Sequence, residues 1–344
     1  MPIDRALATA LCLSAGAALA EGEPPKTFAE YEAAHAFDCN GPLEKLPAPD
    51  VIEYGGHRYE MLGSTARARR TGAAAAKGEV RLGVLSGIKD LEPDTKEALE
   101  GFFGELKKRR VAAVLVGGDS AESPEDLEKV YAFLVAQTDV PLLAVAGNSE
   151  RGGAHNYAIK KQREAGHLNL LNMDLVRRFD GDGFDVVSIG GYYDKKYMRM
   201  AGGCAYRPED VAAAQAAAKE CDDPVVFLGH GPPKQSGKTA LDFVPEAGNV
   251  GDPALTEAIK AAGIPFGVFG HILEAGARAT DLSGKPLPEG KLARALYLNP
   301  GPANPLPWKL NSGGTSYGLA GVLTLEGRQA KYELLHAPRK AAGP

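Results

Sequence analysis

The 344-residue sequence has few cysteines and no excess of positive charge. It contains four cysteines, and no two of them have the spacing of a metal-binding pair. The formal net charge is -5 at pH 7 and the pI is about 5.9, so the composition does not point to nucleic acid as a partner. With 44% hydrophobic residues, 42 glycines and 24 prolines, the chain is typical of a loop-rich globular α/β protein.

The apolar stretch at the N-terminus is too short to predict a transmembrane span. It follows Arg5 and ends in Ala18-Leu19-Ala20, a small-x-small tripeptide typical of signal-peptide cleavage. Residues 1–20 are therefore predicted to be a signal peptide, and the mature protein is expected to be exported to the periplasm or the extracellular space. The alternative is an ordinary N-terminal segment of a cytoplasmic protein, because the charged region is weak.

Cleavage after residue 20 would leave Cys39, Cys204 and Cys221. An odd number means that at least one cysteine stays free or pairs between chains. Cys204 and Cys221 are not expected to pair, because the helix predicted between them would be about 20 Å long and a disulfide needs Cα atoms within about 7 Å.

Four segments follow from the pattern along the chain. After the signal peptide, residues 21–78 predict an appendage with a hairpin around Gly55-Gly56 and a linker at 71–78. Residues 79–338 alternate apolar strands with helices, which predicts an α/β fold with a largely parallel sheet. The last strand-like segments, from 295 onwards, suggest a closing antiparallel layer, and 339–344 form a tail. No internal repeat is visible.

Polar side chains follow four of the predicted strands. Asp119, Asn148, His230 and His271 each come directly after a glycine at a strand end. Taken singly, such a dipeptide is more often a turn or a helix cap. Because the carboxyl ends of parallel strands meet at one edge of a sheet, the four together predict a site for a divalent ion such as Zn²⁺, Mn²⁺ or Fe²⁺.

The order GD, GN, GH, GH over residues 82–301 resembles the calcineurin-like metallophosphoesterase family. The segments GHGPP and LNPG fit the surroundings of that family's motifs as well. The resemblance implies a four-layer α/β/β/α sandwich with two metals at the strand ends, and hydrolysis of a phosphomonoester or phosphodiester.

The sequence departs from the family pattern at four positions. Gly87 and Lys89 stand where the resemblance implies an aspartate and a histidine, Ser149 replaces the catalytic histidine, and Leu273 replaces the last histidine. The losses remove three of the four ligands that the family uses for one metal. The ligands that the resemblance implies for the other metal are all present: Asp119, Asn148, His230 and His271.

Lys89 leaves three interpretations open. Its ammonium can take the vacated metal position and neutralise a bound phosphate beside one metal. It can also form an ion pair with Asp119 and withdraw that ligand, or it can point to solvent. Ser149 cannot act as an acid near pH 7, and loss of the general acid should cost about 10²–10⁴-fold in rate.

Two functions remain from the sequence. The first is a divergent metallophosphoesterase that hydrolyses a phosphoester with at most one metal ion. The alternative is a catalytically inactive relative that binds or scaffolds, with a phosphorylated ligand as partner and with a site that holds no metal. Specificity is expected in the loops 150–166, 190–206 and 233–252. In the first of these, His155 is predicted to be a surface residue, with a role as proton donor as the alternative, and Glu150 is predicted to be structural. Neither the substrate nor the oligomeric state can be predicted.

Overall fold

The structure is a computed structural model that describes residues 23–72 and 78–338. The predicted signal peptide, most of the predicted linker and the tail lie outside these described residues. Within residues 23–72 and 78–338, no helix is long and apolar enough to cross a membrane.

Over the described residues the chain forms six α-helices and twenty strands, which alternate mainly between β4 and β13. The helices are α1 (Phe28–Ala34), α2 (Pro93–Lys108), α3 (Pro124–Gln137), α4 (Gly152–Glu164), α5 (Pro208–Ala218) and α6 (Pro253–Ala262), with short 3-10 turns at Lys195–Tyr197 and Leu273–Ala275. The strands are β1 (Lys45–Tyr54), β2 (His57–Gly63), β3 (Thr65–Arg70), β4 (Glu79–Leu85), β5 (Ala113–Val116), β6 (Leu142–Ala144), β7 (Leu170–Asn172), β8 (Arg178–Asp180), β9 (Asp185–Ile189), β10 (Val225–Gly229), β11 (Phe243–Val244), β12 (Gly248–Asn249), β13 (Phe266–Val268), β14 (Arg278–Thr280), β15 (Pro286–Leu287), β16 (Leu296–Asn299), β17 (Trp308–Lys309), β18 (Thr315–Ser316), β19 (Leu319–Glu326) and β20 (Gln329–His336).

The first large sheet has the strand order β20-β19-β4-β5-β6-β7. Strands β4 to β7 run parallel to one another, and their carboxyl ends therefore lie at one edge. The antiparallel pair β19–β20 closes the sheet beside β4, as the strand-like end of the sequence predicts.

The second large sheet has the order β1-β2-β3-β8-β9-β10-β13-β16-β14-β15. Its centre, β9-β10-β13-β16, is parallel, so β16 is not part of the closing antiparallel layer that was expected there. A hairpin at Gly55-Gly56 joins β1 to β2, and β3 pairs in parallel with β8, so the N-terminal strands extend this sheet. The boundary between appendage and domain stays a prediction.

The two large sheets pack face to face, with helices on both outer surfaces. The alternation along β5 illustrates this: Ala113 and Leu115 lie in the core between the sheets, whereas Val114 and Val116 face the core under α2, α3 and α4. On the other side, α5 and α6 cover the second sheet. The fold is an α/β sandwich, as the sequence predicts.

A disulfide joins the N-terminal segment to a loop of the second half of the chain. It links Cys39 and Cys204, which are 165 residues apart in sequence. Cys221 is free, and α5 separates it from Cys204, as predicted.

Candidate functional site

The carboxyl ends of five parallel strands meet where the edges of the two large sheets approach each other. The first sheet contributes Lys89 after β4, Asp119 after β5 and Asn148 after β6. The second sheet contributes His230 after β10 and His271 after β13. The structure thus brings together side chains that the sequence separates by up to 182 residues (89 to 271).

Two histidines and one amide form the centre of the cluster. The Asn148 Oδ1 atom lies 2.9 Å from His230 Nε2 and 3.1 Å from His271 Nδ1. The two ring nitrogens are themselves 3.1 Å apart, and Asp119 Oδ1 lies 3.5 Å from His230 Nε2. His230 is fully buried, Asp119 and Asn148 almost so, and His271 is partly buried.

Hydrogen bonds at the back of the cluster fix which atoms face inward. The Nδ1 atom of His230 lies 2.8 Å from the Gly117 carbonyl oxygen, so Nδ1 carries the proton and Nε2 of a neutral ring presents a lone pair. The Asn148 amide donates to the Tyr197 carbonyl at 2.6 Å, which turns its Oδ1 toward the histidines. Lone pairs therefore converge from His230, Asn148 and Asp119.

Such a set of acceptors needs a positive partner at its centre. A proton on His271 Nδ1 would satisfy part of it, and a divalent cation would satisfy all of it. Within the described residues, no group of three or more His, Cys, Asp or Glu side chains is placed to hold a metal by itself. A metal here would therefore need the Asn148 amide oxygen as a ligand in addition to His230, His271 and Asp119. The donor types fit a borderline cation.

Lys89 forms an ion pair with Asp119, which is the second of the interpretations that the sequence leaves open. Its ammonium donates to Asp119 Oδ2, and the Lys89 backbone N–H also donates to the Asp119 carbonyl at 3.1 Å. The other carboxylate oxygen, Oδ1, accepts the Ser149 backbone N–H at 3.2 Å. The Lys89 side chain is 22% exposed, so it is only partly shielded from solvent.

Both partners of this ion pair have unusual backbone conformations. Lys89 has φ 70° and Asp119 has φ 57°. Both values lie in the left-handed region, which residues other than glycine rarely adopt. Each such residue costs of order 1–3 kcal/mol and persists only when its surroundings impose it. Residues with this kind of strain cluster at functional sites, which supports a functional interpretation of the Lys89–Asp119 pair.

The protonation states follow from burial and from neighbouring charge. Burial lowers the pKa of His230, and burial with the neighbouring His230 lowers the pKa of His271 to about 3. Burial opposes ionisation of Asp119, yet the neighbouring cationic groups hold its pKa below the usual range. His230 and then the Lys89 ammonium are the main neighbours that favour the ionised form of Asp119 and hold its pKa low.

Ser149 and Glu150 lie beneath the cluster. The Ser149 side chain is fully buried, and its Oγ has no hydrogen-bond partner among the described residues. Glu150 accepts the backbone N–H groups of Asp119, Ser120 and Gly147, so it holds the two loops together, as its predicted structural role requires. Burial and the nearby Asp119 charge raise the pKa of Glu150 to about 7.

Protein atoms lie close around Gly87, the residue that stands where the resemblance implies an aspartate. A Cβ added to Gly87 would lie 3.1 Å from Leu273 Cδ2 and 3.3 Å from Pro302 Cα. Gly87 also has φ 60°, which disfavours any side chain. Gly87 and Leu273 are therefore packed against each other.

A loop over residues 191–203 contributes contacts that the sequence does not reveal. Besides the Tyr197 carbonyl, the Arg199 backbone N–H donates to the Asn148 carbonyl at 3.2 Å. The Tyr192 ring packs on His271 with centroids 4.2 Å apart. The sequence predicts that this loop is important for specificity, but backbone contacts leave no residue-type signal that could have identified them.

Comparisons with known proteins give a fold and no activity. Neither a protein-family model nor a curated protein matches the sequence. One solved structure has a TM-score of 0.54 at 14% identity and covers 76% of this chain and 100% of its own. At that identity the similarity shows the fold alone.

Two further solved structures are similar at lower scores. TT1561 of Thermus thermophilus has a TM-score of 0.47 at 14% identity, covering 74% of this chain and 98% of its own. A dimetal phosphatase from Danio rerio has a TM-score of 0.43 at 12% identity, covering 75% of this chain and 99% of its own. Similarity this weak carries no argument about activity, so metallophosphoesterase membership stays a resemblance and the metal-ligand roles stay predictions.

Proposed function

We propose that the protein is a divergent phosphoesterase of the metallophosphoesterase type that uses a single divalent metal ion, Zn²⁺, Mn²⁺ or Fe²⁺. One observation carries the proposal: His230 Nε2, Asn148 Oδ1 and His271 Nδ1 lie within 3.1 Å of one another. Asp119 Oδ1 adds a carboxylate oxygen 3.5 Å from His230. These four side chains would hold the ion.

The residues around this ion would have separate roles in the reaction. A metal ion at this place would supply Lewis-acid polarisation of the phosphoryl group and of an attacking water. The Lys89 ammonium, partly exposed beside Asp119, would bind a phosphoryl oxygen and offset negative charge where the second metal is lost. The buried Ser149 hydroxyl cannot protonate a leaving group near neutral pH. We therefore expect slow turnover that favours leaving groups that depart without a proton.

Hydrolysis of bis(4-nitrophenyl) phosphate tests this proposal, because 4-nitrophenolate needs no protonation to leave. Turnover should require the added divalent ion and disappear in the presence of a chelator. It should fall to background in His230→Ala and stay unchanged in His336→Ala, a control at an exposed histidine. Turnover that survives His230→Ala would locate the activity elsewhere and overturn the proposal.

A second candidate function is a binding protein for a phosphorylated ligand, without turnover. The Lys89–Asp119 ion pair favours it, because an occupied Asp119 Oδ2 is unavailable to a metal. Binding of inorganic phosphate by metal-free protein, weakened about tenfold in Lys89→Met, together with no diesterase turnover at any metal concentration, would support this candidate. Metal-dependent turnover would exclude it.

Export of the protein is a further part of the proposal. The predicted signal peptide is its first support, and the Cys39–Cys204 disulfide is the second, because disulfides persist mainly in oxidising compartments. Mass spectrometry of the mature chain tests it, since export predicts an N-terminus at Glu21 and a disulfide-linked pair of peptides. A mature protein that begins at residue 1 with both thiols reduced would contradict it.

A further inference from the structure

The Cys39–Cys204 disulfide lies where the 191–203 loop meets the body of the protein. Cys204 is fully buried, and its carbonyl accepts the Tyr192 N–H at 2.9 Å, which closes the base of the loop. On the other side, Gly152 at the start of α4 leaves just enough room for the two sulfurs, since a Cβ there would lie 2.6 Å from Cys204 Sγ. The disulfide is therefore packed between the loop and α4.

The Cys39 side of the disulfide is held by a rigid segment. The buried Asn156 amide, on α4, donates to the carbonyls of Ala36 and Asp38 at 3.1 and 3.0 Å. The next residue, Asn40, accepts the Gly190 N–H at 3.2 Å. Cys39 is thus fixed to the body of the protein by bonds on both sides, and through the disulfide it anchors Cys204.

The tip of the same loop is in direct contact with Asn148. The Asn148 amide donates to the Tyr197 carbonyl at 2.6 Å, and the Arg199 N–H donates to the Asn148 carbonyl at 3.2 Å. A further hydrogen bond, from the Gly152 N–H to the Gly202 carbonyl at 3.3 Å, holds the C-terminal end of the loop against the start of α4. The orientation of the Asn148 side chain therefore depends on where the loop lies.

We infer that the Cys39–Cys204 disulfide is a positioning element of the candidate site: it holds the 191–203 loop against Asn148 and so keeps the amide oxygen aimed at His230 and His271. This inference rests on the proposed function for its consequence, which is tighter metal binding. Partners that orient a metal ligand typically contribute about 10–100-fold to metal affinity. A disulfide that served only global stability would leave metal affinity of the folded protein unchanged.

The test compares the wild-type protein with the double variant Cys39→Ser, Cys204→Ser, and uses Cys221→Ser as the matched control. Titration with Mn²⁺ should give a dissociation constant about 10–100-fold higher in the double variant, measured where both proteins are folded, and no change in Cys221→Ser. Hydrogen exchange over residues 195–203 should be faster in the double variant alone. An unchanged dissociation constant in the double variant would overturn the inference.

A second pair of variants keeps the disulfide and tests the contact that it serves. Arg199→Pro removes the N–H that donates to Asn148, and Met198 already has the extended conformation (φ -69°, ψ 121°) that a following proline requires. Arg199→Ala keeps the N–H and removes the side chain beyond Cβ, including the charge that Arg199→Pro also removes. The inference predicts weaker Mn²⁺ binding in Arg199→Pro than in Arg199→Ala, and equal affinities would contradict it.

The outcomes separate this inference from the proposed function. If the wild-type protein binds no Mn²⁺, the proposed function fails, and hydrogen exchange over 195–203 alone decides whether the disulfide positions the loop. If the wild-type protein binds Mn²⁺ and the double variant binds it equally well, the proposed function stands and the inference fails.

Discussion

At the scale of single residues, Lys89 decides what the site can do. Its ammonium pairs with Asp119 Oδ2 and leaves Oδ1 toward His230, so one carboxylate is shared between a fixed cation and the lone-pair cluster. A cation that enters the cluster must tolerate the positive charge of Lys89 nearby, whereas an oxyanion is attracted by it. We therefore expect Lys89 to lower the affinity of the cluster for a metal ion and to raise its affinity for phosphate.

Replacing Lys89 by methionine tests this expectation directly. Lys89→Met keeps the length of the side chain and removes the charge, so Asp119 is released to the cluster. We expect Mn²⁺ affinity to rise about tenfold, equivalent to about 1.4 kcal/mol, and affinity for inorganic phosphate to fall, both measured by isothermal titration calorimetry. Lys89→Arg, which keeps the charge, should reproduce the wild-type pattern. Weaker Mn²⁺ binding in Lys89→Met would show that Lys89 supports the metal instead of opposing it.

The candidate residues themselves could be predicted from the sequence, whereas their surroundings could not. Asp119, Asn148, His230 and His271 each follow a strand and a glycine, and parallel strands place such positions together. The prediction that His155 lies at the surface is wrong, because the two glycines before it begin α4 and the histidine lies on the buried face of that helix. A helix that begins inside a glycine-rich segment, as α4 does, is difficult to recognise from the local sequence.

At the scale of elements, the turn after β4 leaves little room for the aspartate that the resemblance implies at position 87. Gly87 has φ 60°, and the space beside it is taken by Leu273 and Pro302. A side chain here meets both backbone strain and a close contact, and the two effects add.

Gly87→Asp should therefore destabilise the protein by about 1–3 kcal/mol without creating a second metal site. Gly104→Ala is the matched control, because Gly104 lies within α2 with open space around it and alanine there should stabilise by about 0.5–1 kcal/mol. Urea unfolding measures both changes. A Gly87→Asp protein that has wild-type stability and binds an additional metal ion would contradict this account of position 87.

The 191–203 loop shows why the sequence could not supply the remaining contacts. Tyr197 offers a carbonyl and Arg199 an N–H, groups that almost every residue type carries. The pairing of Cys39 with Cys204 likewise depends on the packing of the N-terminal segment across 165 residues. Spacing along the chain excluded Cys204–Cys221, but only the folded chain identifies the pair.

At the scale of the whole molecule, buried carboxyl groups make stability depend on pH. Asp174 is fully buried beside His155 and accepts the Ala146 N–H at 3.0 Å, and one of its oxygens has no partner within the described part of the chain. Burial raises the pKa of Asp174 to about 8, and burial lowers the pKa of His155 to about 3. Both groups are therefore neutral in the folded protein near pH 7.

The raised pKa of Asp174 fixes the sign of the pH dependence. The folded state keeps this proton up to about pH 8, whereas the unfolded chain releases it near its usual pKa of about 3.9. The stabilising contribution is therefore complete below about pH 4 and is lost as pH rises toward 8.

Above about pH 7, where the buried histidines are neutral in the folded and the unfolded protein, we expect the melting temperature of the wild-type protein to fall as pH rises toward 8. The fall should be smaller in Asp174→Asn, which keeps an oxygen acceptor for Ala146 and cannot ionise. Glu164→Gln, at an exposed position, should keep the wild-type dependence. Calorimetry at several pH values provides the measurement. Equal slopes in the wild-type protein and Asp174→Asn would mean that another group controls the dependence.

The site also depends on the sandwich as a whole, because each sheet contributes only part of it. Asp119 and Asn148 belong to the first sheet, and His230 and His271 to the second. The layered α/β fold could be predicted from the alternation of strands and helices, but the number of strands from the N-terminal segment that join the second sheet could not. A strand joins the edge of a sheet through its exposed backbone N–H and C=O groups. These groups are common to nearly all residue types, so the sequence pattern gives little information about such pairing.

The metal stoichiometry of the purified protein tests the central claim most directly. Elemental analysis should follow purification without chelators, on the wild-type protein and on the double variant His230→Ala, His271→Ala. The account predicts about one divalent ion per wild-type chain and none in the double variant, because Asp119, Asn148, His230 and His271 would hold one ion while Gly87, Lys89 and Leu273 stand where the resemblance implies ligands of another. Two ions per chain, or none in the wild-type protein, would contradict it.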